Sequence, residues 1–141
     1  MIDELTVQLR RDEDEVLHEY KDSLGYSTIG VGRLIDKRKG GGITREESAY
    51  LLRNDIEKVR RQLQERAPWT AALSEPRLGV LLNMAFQMGI DGLMAFENTL
   101  VMIEQREWEK AAKAMLQSKW AGQTPERARR LAEQMRTDAW Q

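Results

Sequence analysis

The chain has 141 residues, no cysteine and a single histidine, His18. Without thiols it can form neither a disulfide framework nor a thiolate metal site. His18 has no neighbouring ligands of the kind that a metal site needs, so we interpret it as a surface residue. No metal and no cofactor are therefore expected. The length fits one domain with a core of its own.

Long apolar runs and an excess of one charge are also missing. No stretch approaches about 18 apolar residues, so no membrane insertion is predicted. The first residues carry acids instead of an apolar run, and no signal peptide is recognised among them. The formal net charge of −1 argues against a general nucleic-acid binder, because such proteins usually present a basic surface.

The segment 19–36 differs from the rest of the chain, where helical periodicity prevails. It is rich in aromatic, β-branched and glycine residues, which predicts a β-hairpin that turns near Ser23, Leu24 and Gly25. A helix over residues 3–13 precedes it, with Leu5 and Leu9 facing inward. The Lys/Gly run over residues 37–42 is expected to be a flexible, exposed connector.

A capping box marks the start of a long helix. Thr44 and Glu47 have the spacing at which each side chain accepts a hydrogen bond from the other residue's backbone N–H. Apolar residues then recur every three or four positions, which predicts an amphipathic helix of roughly 20 residues that ends before Pro68.

The next helix begins at Ser74 and is apolar nearly all round from Leu78 to Met88. We expect it at the centre of the core, with Leu81 and Phe86 buried and Gly89 as its C-terminal cap. Short helices are predicted near 91–105, 107–117 and 125–135.

These elements predict a mostly α-helical α+β fold in a single domain over residues 1–141. A hairpin lobe would cover about 17–43, a long connecting helix about 44–66, and a helical body about 1–13 and 68–141. A cleft between the lobe and the body is the natural place for a site.

Two carboxylates near the hairpin are candidates for catalysis. Glu13 ends the first helix, Asp22 lies in the hairpin, and Thr28 follows in its second strand. A glycosidase needs one protonated and one ionised carboxyl group across the scissile bond. Spacing alone is weak evidence, because the chain has 23 acidic residues.

The sequence around these residues resembles that of the phage lysozyme family, glycoside hydrolase family 24. The resemblance begins with Arg11-Asp12-Glu13 and continues through the hairpin to Thr28-Ile29-Gly30-Val31-Gly32. Three later segments resemble the same family in the same order. They are Ile43-Thr44 with Asp55, the run Asn83-Met84-Ala85-Phe86-Gln87-Met88-Gly89, and Trp120 with Gln123-Thr124-Pro125 and Arg127.

The resemblance implies a lysozyme-like fold and a muramidase that needs no cofactor. It would cleave peptidoglycan glycan strands between N-acetylmuramic acid and N-acetylglucosamine, with inversion, as a monomer. Two alternatives stay open, a lytic transglycosylase and a catalytically weak wall-binding module on the same fold. The enzyme would be made in the host cytoplasm and would act on the cell wall after release, tail-borne delivery or export.

The resemblance also implies a role for each matching residue. Glu13 would be the general acid, while Asp22 and Thr28 would orient the attacking water. The residues implied along the sugar-binding groove and at its mouth are Gln87, Trp120, Ser23, Leu24 and Phe96. Ordinary structural roles stay open beside these: Trp120 could belong to the core, and the side chain of Gln87 could make a structural hydrogen bond.

The acid must hold its proton near neutral pH, which requires burial or a hydrogen bond to the neutral form. Arg127 matches a family arginine that pairs near the acid and would favour the ionised form, so we expect it to fix geometry while burial keeps the proton on Glu13. Asp12 and Arg130 are expected to share that pairing, and Asn83 to support it.

Three departures from the family pattern stand out. Asp14 follows the acid where the family usually has glycine, and it places a further charge there. Arg33 stands where many relatives carry histidine, which predicts an Arg33–Asp55 pair that does not titrate near neutrality. The connector over residues 35–43 is short, which reduces one wall of the expected cleft.

Overall fold

The computed structural model describes residues 2–141, and these residues form an α+β fold that is mostly helical, as predicted. In chain order, the elements are α1 (Ile2–Glu13), β1 (Glu15–Lys21), β2 (Tyr26–Val31), β3 (Arg33–Lys39), α2 (Arg45–Arg66), a 3₁₀ turn (Pro68–Ala72), α3 (Glu75–Met94), α4 (Glu97–Glu104), α5 (Trp108–Leu116), α6 (Lys119–Gln123) and α7 (Pro125–Thr137).

The chain divides into two compact units, one ending at Leu52 and the other running from Arg53 to Gln141. The first unit holds α1, the sheet and the start of α2, whereas the sequence pattern assigned residues 1–13 to the helical body. The single domain over residues 1–141 stays a prediction.

The first unit is built on a three-stranded antiparallel sheet in the order β1-β2-β3. The hairpin between β1 and β2 turns at Ser23, Leu24 and Gly25, as predicted. Thr28 of the central strand pairs with Tyr20 of β1 and with Leu34 of β3. Because β2 has a neighbour on each side, it holds the buried polar residues of this sheet.

The predicted flexible connector is wrong over residues 37–39, which complete β3. Asp36 explains the order of this segment. Its carboxylate accepts hydrogen bonds from the backbone N–H and the guanidinium of Arg38 and from the backbone N–H of Gly42. These bonds hold the pKa of Asp36 well below its usual range and fold the loop back onto the strand.

The predicted burial of the α1 leucines is wrong. Leu5 is 46% exposed and Leu9 is 44% exposed, and among Ile2–Glu13 no residue is buried. Periodicity shows that a helix has an apolar face, but it does not show that a neighbour covers that face. In the first unit, α1 contacts β2 of the sheet.

The capping box at the start of α2 is confirmed. The N–H of Thr44 donates to Glu47 Oε1 at 3.0 Å, and the N–H of Glu47 donates to Thr44 Oγ1 at 3.1 Å. The helix then runs for 22 residues and ends at Arg66, before Pro68, as predicted. Its apolar face is covered unevenly, since Leu63 is buried and Ile56 is 42% exposed.

The second unit has a core centred on α3, as predicted. The buried residues of α3 are Val80, Leu81, Met84, Ala85 and Leu93. The predicted burial of Phe86 is wrong, because this side chain is 46% exposed. One helical position advances by about 100°, so residue 86 points away from the face that positions 81, 84 and 85 bury.

Gly89 interrupts α3 without ending it. Its φ of +81° and ψ of 162° are not helical, and the helix resumes and continues to Met94. The predicted cap is therefore a local break in a longer helix. Glycine suits this position because it adopts positive φ at little cost.

Arg77 ties three helices of the second unit together. Its guanidinium lies 3.8 Å from the centre of the Trp108 ring at the start of α5. Its Nε donates to the carbonyl of Met135 at 2.9 Å, near the C-terminus of α7. This arginine therefore satisfies a helix-end carbonyl and stacks on an aromatic face at once.

Among residues 2–141, no helix is by itself long and apolar enough to cross a membrane. Taken together, α3 and α4 are long and apolar enough for a membrane span by length and composition alone, but the two helices are bent sharply relative to each other.

Leu81 offers a test of the α3 core. The Leu81→Ala variant should lose about 2–5 kcal/mol of unfolding free energy, because it removes apolar burial and leaves a cavity. Phe86→Ala on the same helix is the control and should cost less, since Phe86 is half exposed. Chemical denaturation measures both variants, and a loss below about 0.5 kcal/mol for Leu81→Ala would place that side chain at the surface.

Candidate active site

Glu13 is the last residue of α1, and a single residue separates it from β1. That residue, Asp14, has a φ of +59°, in the left-handed region that glycine adopts most easily and that aspartate tolerates. The glycine that the resemblance implies at this position would adopt the same conformation with least strain. In this chain Asp14 adopts it, with α1 ending at Glu13 and β1 beginning at Glu15.

The burial expected for Glu13 is not found, because its side chain is exposed. It nevertheless has a defined neighbour within the first unit. Its carboxyl group lies against the backbone of Gly32, which follows β2.

Asp22 organises the turn of the hairpin. Its Oδ1 accepts hydrogen bonds from the N–H of Leu24 at 2.9 Å and from the N–H of Tyr26 at 2.8 Å. Across residues 2–141 no hydrogen bond to its second oxygen, Oδ2, is found. Oδ1 therefore holds the turn, and Oδ2 is available to another hydrogen-bond donor. Leu24 lies at the turn and is 68% exposed.

Thr28 is 3% exposed and lies in the central strand. Its Oγ1 donates to the carbonyl oxygen of Tyr26 at 3.1 Å. Because that bond uses the hydroxyl hydrogen, the hydroxyl oxygen can still accept a hydrogen bond from another molecule.

The peptide groups of Tyr26 link the two residues that are predicted to handle water. Its N–H binds the carboxylate of Asp22, and its carbonyl accepts from the hydroxyl of Thr28 and from the N–H of Asp22. Sequence reasoning missed this role, since a backbone contribution leaves no trace in residue type. The tendency of aspartate to bond backbone N–H groups a few residues ahead was the available signal.

Trp120 and Gln87, predicted to line the sugar groove, contact each other in the second unit. Trp120 Nε1 donates to Gln87 Oε1 at 2.9 Å. Trp120 is only 7% exposed and belongs to the core cluster, so the alternative left open for it, a core position, is the one observed. Gln87 is exposed, and this bond fixes its amide while its NH₂ group points to no partner among residues 2–141.

Phe96 packs edge-on against Trp120, with ring centres 6.1 Å apart and ring planes at 85°. The two rings border a hollow of about 410 Å³. The other residues that line it are Met88, Ala95, Ser118, Lys119 and Gln123. The hollow combines aromatic surface with polar groups at its rim, a combination common in ligand sites.

Arg127 donates from Nε and from one terminal nitrogen to Asn83 Oδ1, at 2.9 and 2.7 Å. Asn83, which was expected to support Arg127, thus holds its guanidinium through an amide oxygen. The pairing of Arg127 with the acid stays a prediction. Asp12 accepts from the adjacent Arg11 at 3.3 Å, and Arg130 is exposed on α7.

The predicted Arg33–Asp55 pair is wrong, because Arg33 donates to Glu47 Oε2 at 2.6 Å. The turn at Gly32 brings β3 back beside the start of α2, so Arg33 meets the second residue of the capping box. The pair lies at a hollow of the first unit with apolar walls that include Ile29 and Ile35.

Metal ligation has no support in the described part of the chain, where no group of three or more His, Asp or Glu side chains could hold an ion. His18 Nδ1 lies 3.1 Å from the carbonyl of Glu19, on the exposed face of β1.

Comparison with known proteins adds to this geometry. The sequence profile of the phage lysozyme family matches residues 11–134. Probable T4-type lysozyme 1 of Dictyostelium discoideum is 31% identical over 93% of this chain and 92% of its own length. The endolysin of Salmonella phage P22 is 32% identical over 84% of this chain and 83% of its own length. The pre-baseplate central spike protein Gp5 of Enterobacteria phage T4 is 35% identical over 87% of this chain and 26% of its own length.

These matches place the chain among the lysozymes, which are glycoside hydrolases. Within that class, it belongs to the phage lysozyme family. The resemblance seen in the sequence motifs is thereby confirmed.

Glu47 should make the stability of the first unit depend on pH in the acid range. Hydrogen bonds from the backbone N–H and the hydroxyl of Thr44, and then the charge of Arg33, lower the pKa of Glu47 from its ordinary 4.5. A lowered folded-state pKa stabilises the protein above the unfolded-state pKa, and this contribution is lost as the pH falls through the folded-state value. Arginine does not titrate, so no step is expected near neutrality.

Melting temperatures of the wild type and of Glu47→Gln, followed from about pH 8 to about pH 3, test this. The difference between the two melting temperatures should be constant at neutral pH and should narrow as the pH falls below about 4.5. The exposed neighbour Glu46, changed to Gln, serves as the control. A difference that changes between about pH 6 and about pH 8 would contradict the assignment.

Proposed function

We propose that this chain hydrolyses peptidoglycan at the β-1,4 bond between N-acetylmuramic acid and N-acetylglucosamine, with inversion. The observation that carries the proposal is the backbone of Tyr26, which holds Asp22 and Thr28 together in the unit that also contains Glu13. Relatives that are named as lysozymes and as an endolysin support a bacterial wall substrate.

Glu13 would donate a proton to the glycosidic oxygen as the bond to the anomeric carbon breaks. A general acid must be protonated before transfer, and desolvation favours the neutral carboxyl group. The backbone of Gly32 lies against the carboxyl group of Glu13, and the side chain is otherwise exposed. The bound glycan would therefore supply the rest of the desolvation by displacing water from the carboxyl group.

Asp22 and Thr28 would position the attacking water. The free oxygen of Asp22, Oδ2, would accept one water proton, while the Thr28 hydroxyl oxygen would accept a hydrogen bond from the other. The water oxygen then forms the bond to the anomeric carbon on the face opposite the leaving group, which inverts the configuration. Inverting sites need room for this water, with carboxyl groups roughly 6.5–9.5 Å apart, and we expect that separation between Glu13 and Asp22.

The resemblance implies that Gln87 and Phe96 contact the sugars. Trp120 holds the oxygen of the Gln87 amide, so the amide NH₂ would donate to a sugar hydroxyl or acetamido carbonyl. Leu24, exposed at the hairpin turn, is a further residue that the resemblance implies at the glycan. Trp120 would act through Gln87 and through its packing against Phe96, because its own ring is mostly buried.

The Glu13→Gln variant tests the acid. It preserves the shape of the side chain and removes the transferable proton, so it should lose at least about a hundredfold of activity. The melting temperature should barely change, because the side chain is exposed. Clearing of purified peptidoglycan suspensions measures the activity, and the matched control is Glu15→Gln, an exposed carboxylate of β1 with no proposed role. Near-normal clearing by Glu13→Gln would show that the assignment is wrong.

The ends of the released fragments separate hydrolysis from a lytic transglycosylase reaction. Mass spectrometry should find reducing ends, because water is the proposed nucleophile. Anhydro ends would show that the sugar's own hydroxyl had attacked, and the role of Asp22 and Thr28 in orienting water would then be wrong.

A further inference from the structure

The pairing of β1 with β2 determines what lies beside Glu13. Glu15 of β1 pairs with Val31 of β2, and Gly32 is the next residue after this last pair. On the other side of the ladder, Asp14 lies just before β1 and turns the chain through its positive φ. Glu13 is thereby brought over Gly32 at the open end of the ladder.

The contact between the two residues is too close for any side chain at position 32. A Cβ atom on Gly32 would lie 2.6 Å from Glu13 Oε2, 2.9 Å from Cδ and 3.1 Å from Cγ. Favourable contacts between such atoms begin near 3.5 Å. The end of the Glu13 side chain therefore occupies the space that a side chain at position 32 would need.

Backbone conformation alone does not explain this contact. Gly32 has a φ of +62°, which favours glycine, but Gly30 at +69° and Gly40 at +70° share that property. No atom lies within 4 Å of the Cβ position of either one. Among the positive-φ glycines of residues 2–141, Gly32 alone combines this conformation with a contact closer than 3 Å.

We propose that Gly32 is a positioning residue for Glu13. Its bare backbone is a platform on which the carboxyl group lies, with Oε2 against the platform and Oε1 left to carry the proton that is transferred. This inference rests on the proposed role of Glu13 as the general acid. It adds that the orientation of the Glu13 carboxyl group depends on the absence of a Cβ atom at position 32, between β2 and β3.

A methyl group at position 32 should displace the acid without unfolding the protein. The colliding atoms are the end of a flexible, exposed side chain, which can rotate away. The folded state then suffers mainly from the strain of a non-glycine residue at positive φ. Catalysis suffers more, because a misplacement of about 1 Å can cost about a hundredfold in rate.

Gly40→Ala is the matched control for Gly32→Ala, since both place a methyl group on a left-handed residue and only one of them meets Glu13. The two variants should lower the melting temperature by similar amounts. On soluble peptidoglycan fragments, Gly32→Ala should lower kcat by about 10- to 100-fold with little change in KM. Gly40→Ala should keep the wild-type kcat.

Shortening the acid gives a rescue experiment. Glu13→Asp withdraws the carboxyl group by one methylene and should reduce kcat in the wild-type protein. In the Gly32→Ala background the same change also relieves the collision. The double variant should therefore retain more activity than the product of the two single effects predicts, which is the signature of residues in direct contact.

Two results would overturn the inference while leaving the proposed function intact. One is a Gly32→Ala variant with the same kcat as Gly40→Ala while Glu13→Gln is inactive. The other is the absence of a nuclear Overhauser effect between the Gly32 Hα atoms and the Glu13 side chain in the wild type, a measurement that needs no variant. An active Glu13→Gln variant would instead overturn the proposed function, whatever the Overhauser measurement shows.

Discussion

The backbone of Tyr26 is the constraint on which the arrangement of Asp22 and Thr28 in the first unit depends. Its N–H fixes one oxygen of Asp22 at 2.8 Å, and its carbonyl takes the hydroxyl hydrogen of Thr28 at 3.1 Å. The carboxylate is left with one free oxygen, and the hydroxyl is left with an oxygen that only accepts. Each group can thus still accept a hydrogen bond, which is what the proposed water requires, and this capacity comes from the hairpin itself rather than from added side chains.

The same principle recurs in the second unit, where Trp120 orients Gln87 and Arg127 orients Asn83. The indole N–H of the buried Trp120 needs an acceptor, and by taking the oxygen of Gln87 it orients the remaining NH₂ group. Arg127 similarly fixes the amide of Asn83. Groups proposed to meet substrate are therefore held by a neighbour through one of their atoms, which leaves another atom available for the ligand.

Local rules in the sequence predicted the parts of the structure that nearest neighbours determine. The hydrogen bonds between Thr44 and Glu47 follow from their spacing and were predicted with their partners. The exposure of Phe86 and the partner of Arg33 were not predicted, because both depend on which faces of a helix or strand other segments cover. The Lys/Gly run looked like a free connector since charge and glycine usually mark loops, yet the carboxylate of Asp36 binds it into a strand and a turn. For the candidate site, the resemblance pointed to Glu13 and Asp22, whose roles stay predictions, but no pattern of residue types could reveal contributions from the backbone.

The configuration of the first product tests the central claim most directly, that Asp22 and Thr28 deliver water to the face opposite the acid. Proton NMR of a β-linked glycan during its first turnovers with the unmodified protein distinguishes the two anomers before they interconvert. We predict that the α-anomer appears first, because a single displacement by water inverts the anomeric carbon. A β-anomer appearing first would mean a double displacement with net retention, and it would contradict the proposed roles of Asp22 and Thr28.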